Sequence, residues 1–391
     1  MTGEQGYEDY RRRARAFIAE NAPAMEVRGG HRAPRPEDLP ALREWTAKMF
    51  AEGFLGEDWP PEYGGKGESD PMEDAIFTEE LGRAGAPAPI GAAYLASGAL
   101  LSYGTDEQKR KYLPRIRNGE DIWCQLFSEP NAGSDLAALR TQARLDGHSY
   151  VINGQKVWTT NAHNADLGYL LARTDTTKKH AGISAFILVM RSPGVEIRPL
   201  REITGTADFN EVFFTDVRVP AANLIGGPGE GWQVATASLV KERQGNRGLG
   251  SRLRSRLDDL LALAREVERS DPALAARLRP RLGRVIASTE VCNYLHSRSL
   301  ERRLADEGDA ADAPVSKIFS SEVNVAMIDL ALAYQGDRGV LAEGDPGVLD
   351  GGSWQDDLLY SRTYTIAGGS NEILRNLIAE RALGMPRDRS K

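Results

Sequence analysis

The hydrophobic period changes twice along the 391 residues, and this alternation limits the fold more than any other property of the chain. Residues 1 to about 118 predict helices over 7–20, 39–53, 72–82, 91–104 and 106–118, separated by Gly/Pro turns. Thr105, followed by Asp106 and Glu107, reads as a helix N-cap with acids in the first turn, where they favour the positive helix end. From about 121 to 220 the period becomes two. Thr141, Ala143 and Leu145 alternate with polar residues up to Asp146-Gly147, a hairpin dipeptide, and Asn153-Gly154 reads as a second turn. Further strands are expected over 156–160, 167–173, 183–190, 195–199 and 211–219. After about 230 helical patterns return over 232–249, 253–268, 273–305, 315–341 and 354–383.

The predicted fold class is therefore α+β multidomain. An N-terminal helical domain (1–120) precedes a central antiparallel β-domain (121–228) and a C-terminal four-helix bundle (229–391). A chain of this length is too long for one ordinary core, which agrees with two or three packed units.

Several function classes lose support. A net charge of -7 provides no basic stripe for nucleic acid. Two distant cysteines, Cys124 and Cys292, make neither a disulfide framework nor a thiolate metal site, and suit a cytoplasmic protein. No run approaches the ~18 apolar residues of a membrane span, and the N-terminal stretch, with its acids and arginines, is not expected to be a secretory signal. There is no GxGxxG after a strand, no P-loop lysine and no GxSxG elbow. The glycines of 226–231 read as a hinge, and the five histidines share no metal spacing.

Residues 127–135 read FSEPNAGSD, 153–161 NGQKVWTTN, 58–65 DWPPEYGG and 367–381 AGGSNEILRNLIAER. In this order and at this spacing, the four segments resemble the acyl-CoA dehydrogenase family over nearly the whole chain. The resemblance implies bound FAD and that family's fold. It implies cofactor contacts from Phe127, Ser128, Gly133, Ser134, Trp158 and Thr160, with Trp158 packing on the flavin and Ser134 at the pyrophosphate. From 367–381 it implies contacts from Ser370 and Glu372, and from 278–283, LRPRLG, which stands where the family has Arg-x-x-Phe-Gly, a pyrophosphate contact from Arg279. The plainer reading of 153–160 is an ordinary hairpin with Trp158 in the core and Thr160 a strand residue.

Forming an α,β-double bond in an acyl thioester requires a carboxylate to take the α-proton. The position that carries this Glu in short- and medium-chain members is Gly368 here, which can offer only its backbone N–H. The position used by isovaleryl- and long-chain-type members is Glu242, followed by Arg243. The resemblance thus implies Glu242 as base, Gly368 N–H as a thioester contact and Arg243 as a substrate contact. At 3.6 residues per turn Glu242 shares a helix face with Ala235, Ser238, Leu239 and Asn246. A Glu flanked by Lys241 and Arg243 also reads as a solvated surface group.

Implied partners are an acyl-CoA and an electron-transfer flavoprotein, in a homotetramer or an α2β2 heterotetramer, with a leaning to branched, long or steroid side-chain substrates. A carrier-protein thioester, an oxygen-using flavoprotein such as a nitroalkane oxidase or N-hydroxylase, and a non-catalytic assembly subunit remain open alternatives.

Overall fold

The computed structural model describes residues 4–25, 32–90, 93–245, 248–305 and 307–387. In chain order come α1 (Glu4–Asn21), α2 (Leu39–Ala51), α3 (Pro71–Arg83), α4 (Ala93–Tyr103) and α5 (Asp106–Arg117). Eight strands follow: β1 (Trp123–Leu126), β2 (Gln142–Asp146), β3 (Ser149–Thr160), β4 (Leu167–Arg173), β5 (Ile183–Val189), β6 (Val195–Leu200), β7 (Phe209–Pro220) and β8 (Leu224–Ile225). Helices resume with α6 (Gly231–Gly245), α7 (Gly248–Ser270), α8 (Pro272–Leu304) and α9 (Asp312–Gln335), then α10 (Ser353–Tyr360), α11 (Arg362–Ile366) and α12 (Asn371–Leu377). They group into two compact units, Met1–Phe77 with Ala86–Gly245, and Thr78–Gly85 with Asn246–Lys391.

In the first unit, Phe17 stacks on Trp45 at 5.2 Å and Phe54 on Phe77 at 4.6 Å, which gives the N-terminal helices an aromatic core. Thr105 caps α5 through a reciprocal box with Gln108, at 3.2 and 3.1 Å. The Gln108 amide then donates to the carbonyls of Ala222 and Leu224, fastening α5 to the start of β8.

The sheet runs β6-β7-β3-β2-β4-β5-β8, with β1 beside β4. It is antiparallel except where β1 and the first residue of β2, Gln142, meet β4, both in parallel. The expected all-antiparallel sheet is corrected at β1, which enters from α5 and reaches β4 only after β2 and β3, a long connection of the kind that parallel pairing requires. β4 and β5 are buried along almost their whole length, as their unbroken apolar runs demand. The expected turn at Asn153-Gly154 is a second correction. β3 passes straight through it, opposite an extra residue in β7 at Asp216, whose side chain and N–H pair with Asn153. Gly154 is required there because a Cβ would stand 2.5 Å from Thr141 Oγ1.

Helix α6 begins against β5. A Cβ at Gly231 would lie 2.4 Å from the Ser184 carbonyl carbon, and Ser238 Oγ meets Tyr169 Oη of β4 at 3.0 Å. Of the expected helix over 232–249, the part up to Gly245 lies in α6 and the part from Gly248 in α7, and positions 246 and 247 lie outside the described residues.

In the second unit, Leu253, Leu257, Leu260, Ala264 and Val267 line one face of α7 at helical spacing and pack with Cys292, Met327, Leu330 and Trp354. The expected helix over 354–383 is broken into α10, α11, α12 and a π-helical turn, because Gly368 (φ 68°) and Gly369 (φ 92°) sit in left-handed geometry that stops α11. Among the described residues no helix is long and apolar enough to cross a membrane.

Candidate functional site

Two of the four signature segments meet in the first unit. The chain leaves β1 at Phe127, whose ring is buried edge-on against Tyr169 with centroids 4.9 Å apart. The Ser128 carbonyl accepts the Val157 N–H at 2.9 Å, which places the FSEP turn beside the KVWT stretch of β3. Glu129 and Ala132 exchange backbone hydrogen bonds and close the turn. Beyond it Gly133 and Ser134 are exposed, and nothing lies within 4 Å of a Cβ added at Gly133.

Beneath this turn is an ion pair that sequence reasoning missed. Lys156 is fully buried, and its Nζ donates to Glu129 Oε1 at 2.8 Å and to the Phe127 carbonyl at 2.9 Å. Glu129 also accepts the backbone N–H groups of Arg140 (2.6 Å) and Thr141 (2.9 Å). Burial pushes the Lys156 ammonium down to about 8, with Glu129 opposing. Burial works to raise the Glu129 carboxyl, but Lys156 and the two N–H donors outweigh it and hold the group below its usual range. The available signal was a charged residue at an inward position of a strand, with its partner 27 residues away.

One residue past this pair β3 bulges. Between Lys156 and Thr159 it uses one residue more than β7 does, and Trp158 takes the extra place at φ 60°. Its indole is 61% exposed and meets the Phe209 ring edge-on, with centroids 6.0 Å apart. The core reading of Trp158 is thereby excluded. A bulky residue held in left-handed geometry with its ring outward is costly unless something uses the ring. Thr160, two residues on, is part-exposed. An exposed flat ring on a strand hydrogen-bonded to the Ser128 carbonyl, with part-exposed Thr160 two residues on and an exposed glycine–serine turn after Ser128, fits the FAD that the resemblance implies.

The second unit brings together Gly368, Ser370 and Glu372. Ser370 caps α12 by accepting the Ile373 N–H at 3.3 Å. Glu372 is exposed and held below the usual carboxylate range by its own backbone N–H and the Ser370 hydroxyl. Arg279 is exposed on α8 and joins Glu268 at 2.7 Å. An anion there would have to compete with that carboxylate. Glu242 and Arg243 fall within α6, but their side chains lie outside the described residues. Two residues of that face, Ala235 and Ser238, are buried. Among the described residues no cluster of His, Cys, Asp or Glu could hold a metal ion.

Three family models match the chain. They are the N-terminal domain of acyl-CoA dehydrogenases over residues 4–120, the middle domain over 124–217 and the C-terminal domain over 229–383. The acyl-CoA dehydrogenase IpdE1 of Mycobacterium tuberculosis is 40% identical over 397 aligned positions, covering 98% of this chain and 99% of that protein. Among solved structures, the Tcur3481-Tcur3483 steroid ACAD is similar with TM-score 0.86 at 32% identity, covering 99% of each chain. The ChsE4-ChsE5 complex from Mycobacterium tuberculosis matches with TM-score 0.80 at 32% identity, also over 99% of each chain.

Proposed function

Because the chain belongs to the acyl-CoA dehydrogenase family, we propose that it binds FAD and oxidises a bulky, steroid-derived acyl-CoA to the 2,3-enoyl-CoA. The observation that carries the cofactor is the outward indole of Trp158 at a left-handed bulge, set beside the Ser128 turn. The steroid leaning is supported by the similarity to the steroid ACAD over 99% of both chains.

In this reading FAD, when bound, supplies the acceptor for the β-hydride. The protein's own groups do the rest. Trp158 and the 127–134 turn position the ring and pyrophosphate, aided by Ser370, Glu372 and Arg279. The Gly368 N–H holds the thioester carbonyl and so stabilises negative charge developing on its oxygen. Glu242 on α6 takes the α-proton, with Arg243 beside it toward the substrate. The electron pair then leaves to an electron-transfer flavoprotein. The assembly is a homotetramer or an α2β2 heterotetramer, the latter supported by the two-protein complex among the similar structures.

The test is anaerobic addition of an acyl-CoA panel, straight-chain, branched and steroid side-chain, to the purified yellow protein. Loss of flavin absorbance, with a product lighter by two hydrogens, is expected with the bulky members. A flavin that none of them reduces removes the proposal.

A further inference from the structure

Lys317, on α9, reaches the loop that precedes α12. Its Nζ donates to the Gly369 carbonyl and to Asn371 Oδ1, each at 2.9 Å. Asn371 is buried, and its Nδ2 donates to Ser321 Oγ at 3.1 Å. The Ser321 hydroxyl in turn donates a hydrogen bond to the Ile318 carbonyl at 2.8 Å. The chain of donors thus starts and ends on α9.

What these groups grip is a backbone stretch of two consecutive glycines. Gly368 and Gly369 are consecutive and both have positive φ, and nothing lies within 4 Å of a Cβ added at Gly368. Two adjacent glycines have more accessible conformations than any other pair. The Gly368 N–H belongs to the 367–368 peptide and the Gly369 carbonyl to the 369–370 peptide, so fixing that carbonyl anchors the far end of the two-glycine stretch on which the direction of the N–H depends. A lysine suits this task because it supplies several donors and a positive charge. Burial pushes the Lys317 ammonium down to about 8, with Glu372 opposing, so it is a cation at neutral pH.

We propose that Lys317 is a positioning residue for the thioester, fixing the Gly369 carbonyl so that the Gly368 N–H stays aimed at the substrate carbonyl oxygen. Ser321 and Asn371 hold the other side of the clamp. This inference rests on the dehydrogenase reading, which gives Gly368 its role.

The test uses FAD-loaded wild type, Lys317→Met and Lys317→Arg. The probe is the enoyl-CoA product of the acyl-CoA that reduces wild type fastest, labelled with 13C at the thioester carbonyl. Lys317→Met should slow flavin reduction about 10- to 100-fold with FAD content unchanged. The infrared carbonyl band of the bound probe should move back toward its position in water, and Lys317→Arg should recover most of both losses. If Lys317→Met does not fold, Asn371→Ala, which removes one acceptor of the ammonium, should shift the band in the same direction. A carbonyl band unmoved in these variants overturns the inference even if turnover falls, because a merely structural role would give that result. A wild-type flavin reduced by no acyl-CoA overturns the dehydrogenase reading and this inference together.

Discussion

The Lys156 ammonium lies 2.8 Å from the Glu129 carboxylate in the interior of the first unit, and this contact ties the FSEP turn to the strand that carries Trp158. Four backbone or charged groups converge there: the Phe127 carbonyl on Lys156, and Lys156 with the Arg140 and Thr141 N–H groups on Glu129. Neither residue belongs to the exposed surface that would meet a cofactor. Together they fix the height and direction of the segments that do.

Removing one partner leaves the other charge buried. Lys156→Met should cost about 3–5 kcal/mol of stability and release FAD. Lys156→Met with Glu129→Leu should recover a good part of the stability, because an apolar pair replaces the ion pair. Chemical denaturation of all three proteins measures this. A single variant as stable as wild type contradicts it.

The same pair sets a pH dependence. Glu129 titrates below its ordinary value of 4.5 in the folded chain, so on acidification the unfolded chain takes up the proton first. Its contribution is complete above about 4.5 and is lost as the pH falls through the lowered folded value. Urea unfolding between pH 3 and pH 7 should show stability falling toward acid, with a shallower slope in the double variant. An equal slope in both would contradict this origin.

Trp158 separates cofactor binding from folding. Its left-handed φ costs roughly 1–2 kcal/mol for a residue other than glycine, and its ring is mostly exposed. Trp158→Gly should therefore leave the stability of the FAD-free protein within about 1 kcal/mol of wild type, while the FAD retained through gel filtration falls. A destabilised protein that keeps its FAD would show the opposite division of roles.

Gly231 sets the seat of α6. An added Cβ would stand 2.4–2.8 Å from the backbone of Ser184 and Ala185, atoms that cannot swing away. Gly231→Ala should cost about 1–3 kcal/mol. It should also slow flavin reduction, since Glu242 stands about three turns further along the same helix. Stopped-flow absorbance and thermal melts read both effects, and an unchanged rate in a destabilised protein would detach α6 from the chemistry.

Much of the fold was legible because its signals are local or periodic. The apolar runs of β4 and β5 mark strands buried on both faces, and Thr105 with Gln108 marks the start of α5. Asn153-Gly154 misleads because the same dipeptide serves a hairpin and a close approach of backbones, and only the position of Thr141 decides between them. The break at Gly368-Gly369 was hidden inside a helical pattern that continues on both sides. In the candidate site, Ser128 and Trp158 were legible through their motifs. Lys156 and Lys317 were not, because each acts through a partner 27 or about 50 residues away that only the folded chain brings near.

Anaerobic mixing of an acyl-CoA with wild-type and Glu242→Gln holoenzymes, followed at the flavin absorbance, tests the proposed dehydrogenation most directly. Wild type should bleach, while Glu242→Gln should keep its FAD and stay yellow, slower by about 100-fold or more, as expected for loss of a catalytic base. Bleaching of Glu242→Gln at the wild-type rate would contradict the assignment of the base, and a wild type that no acyl-CoA bleaches would contradict the dehydrogenation itself.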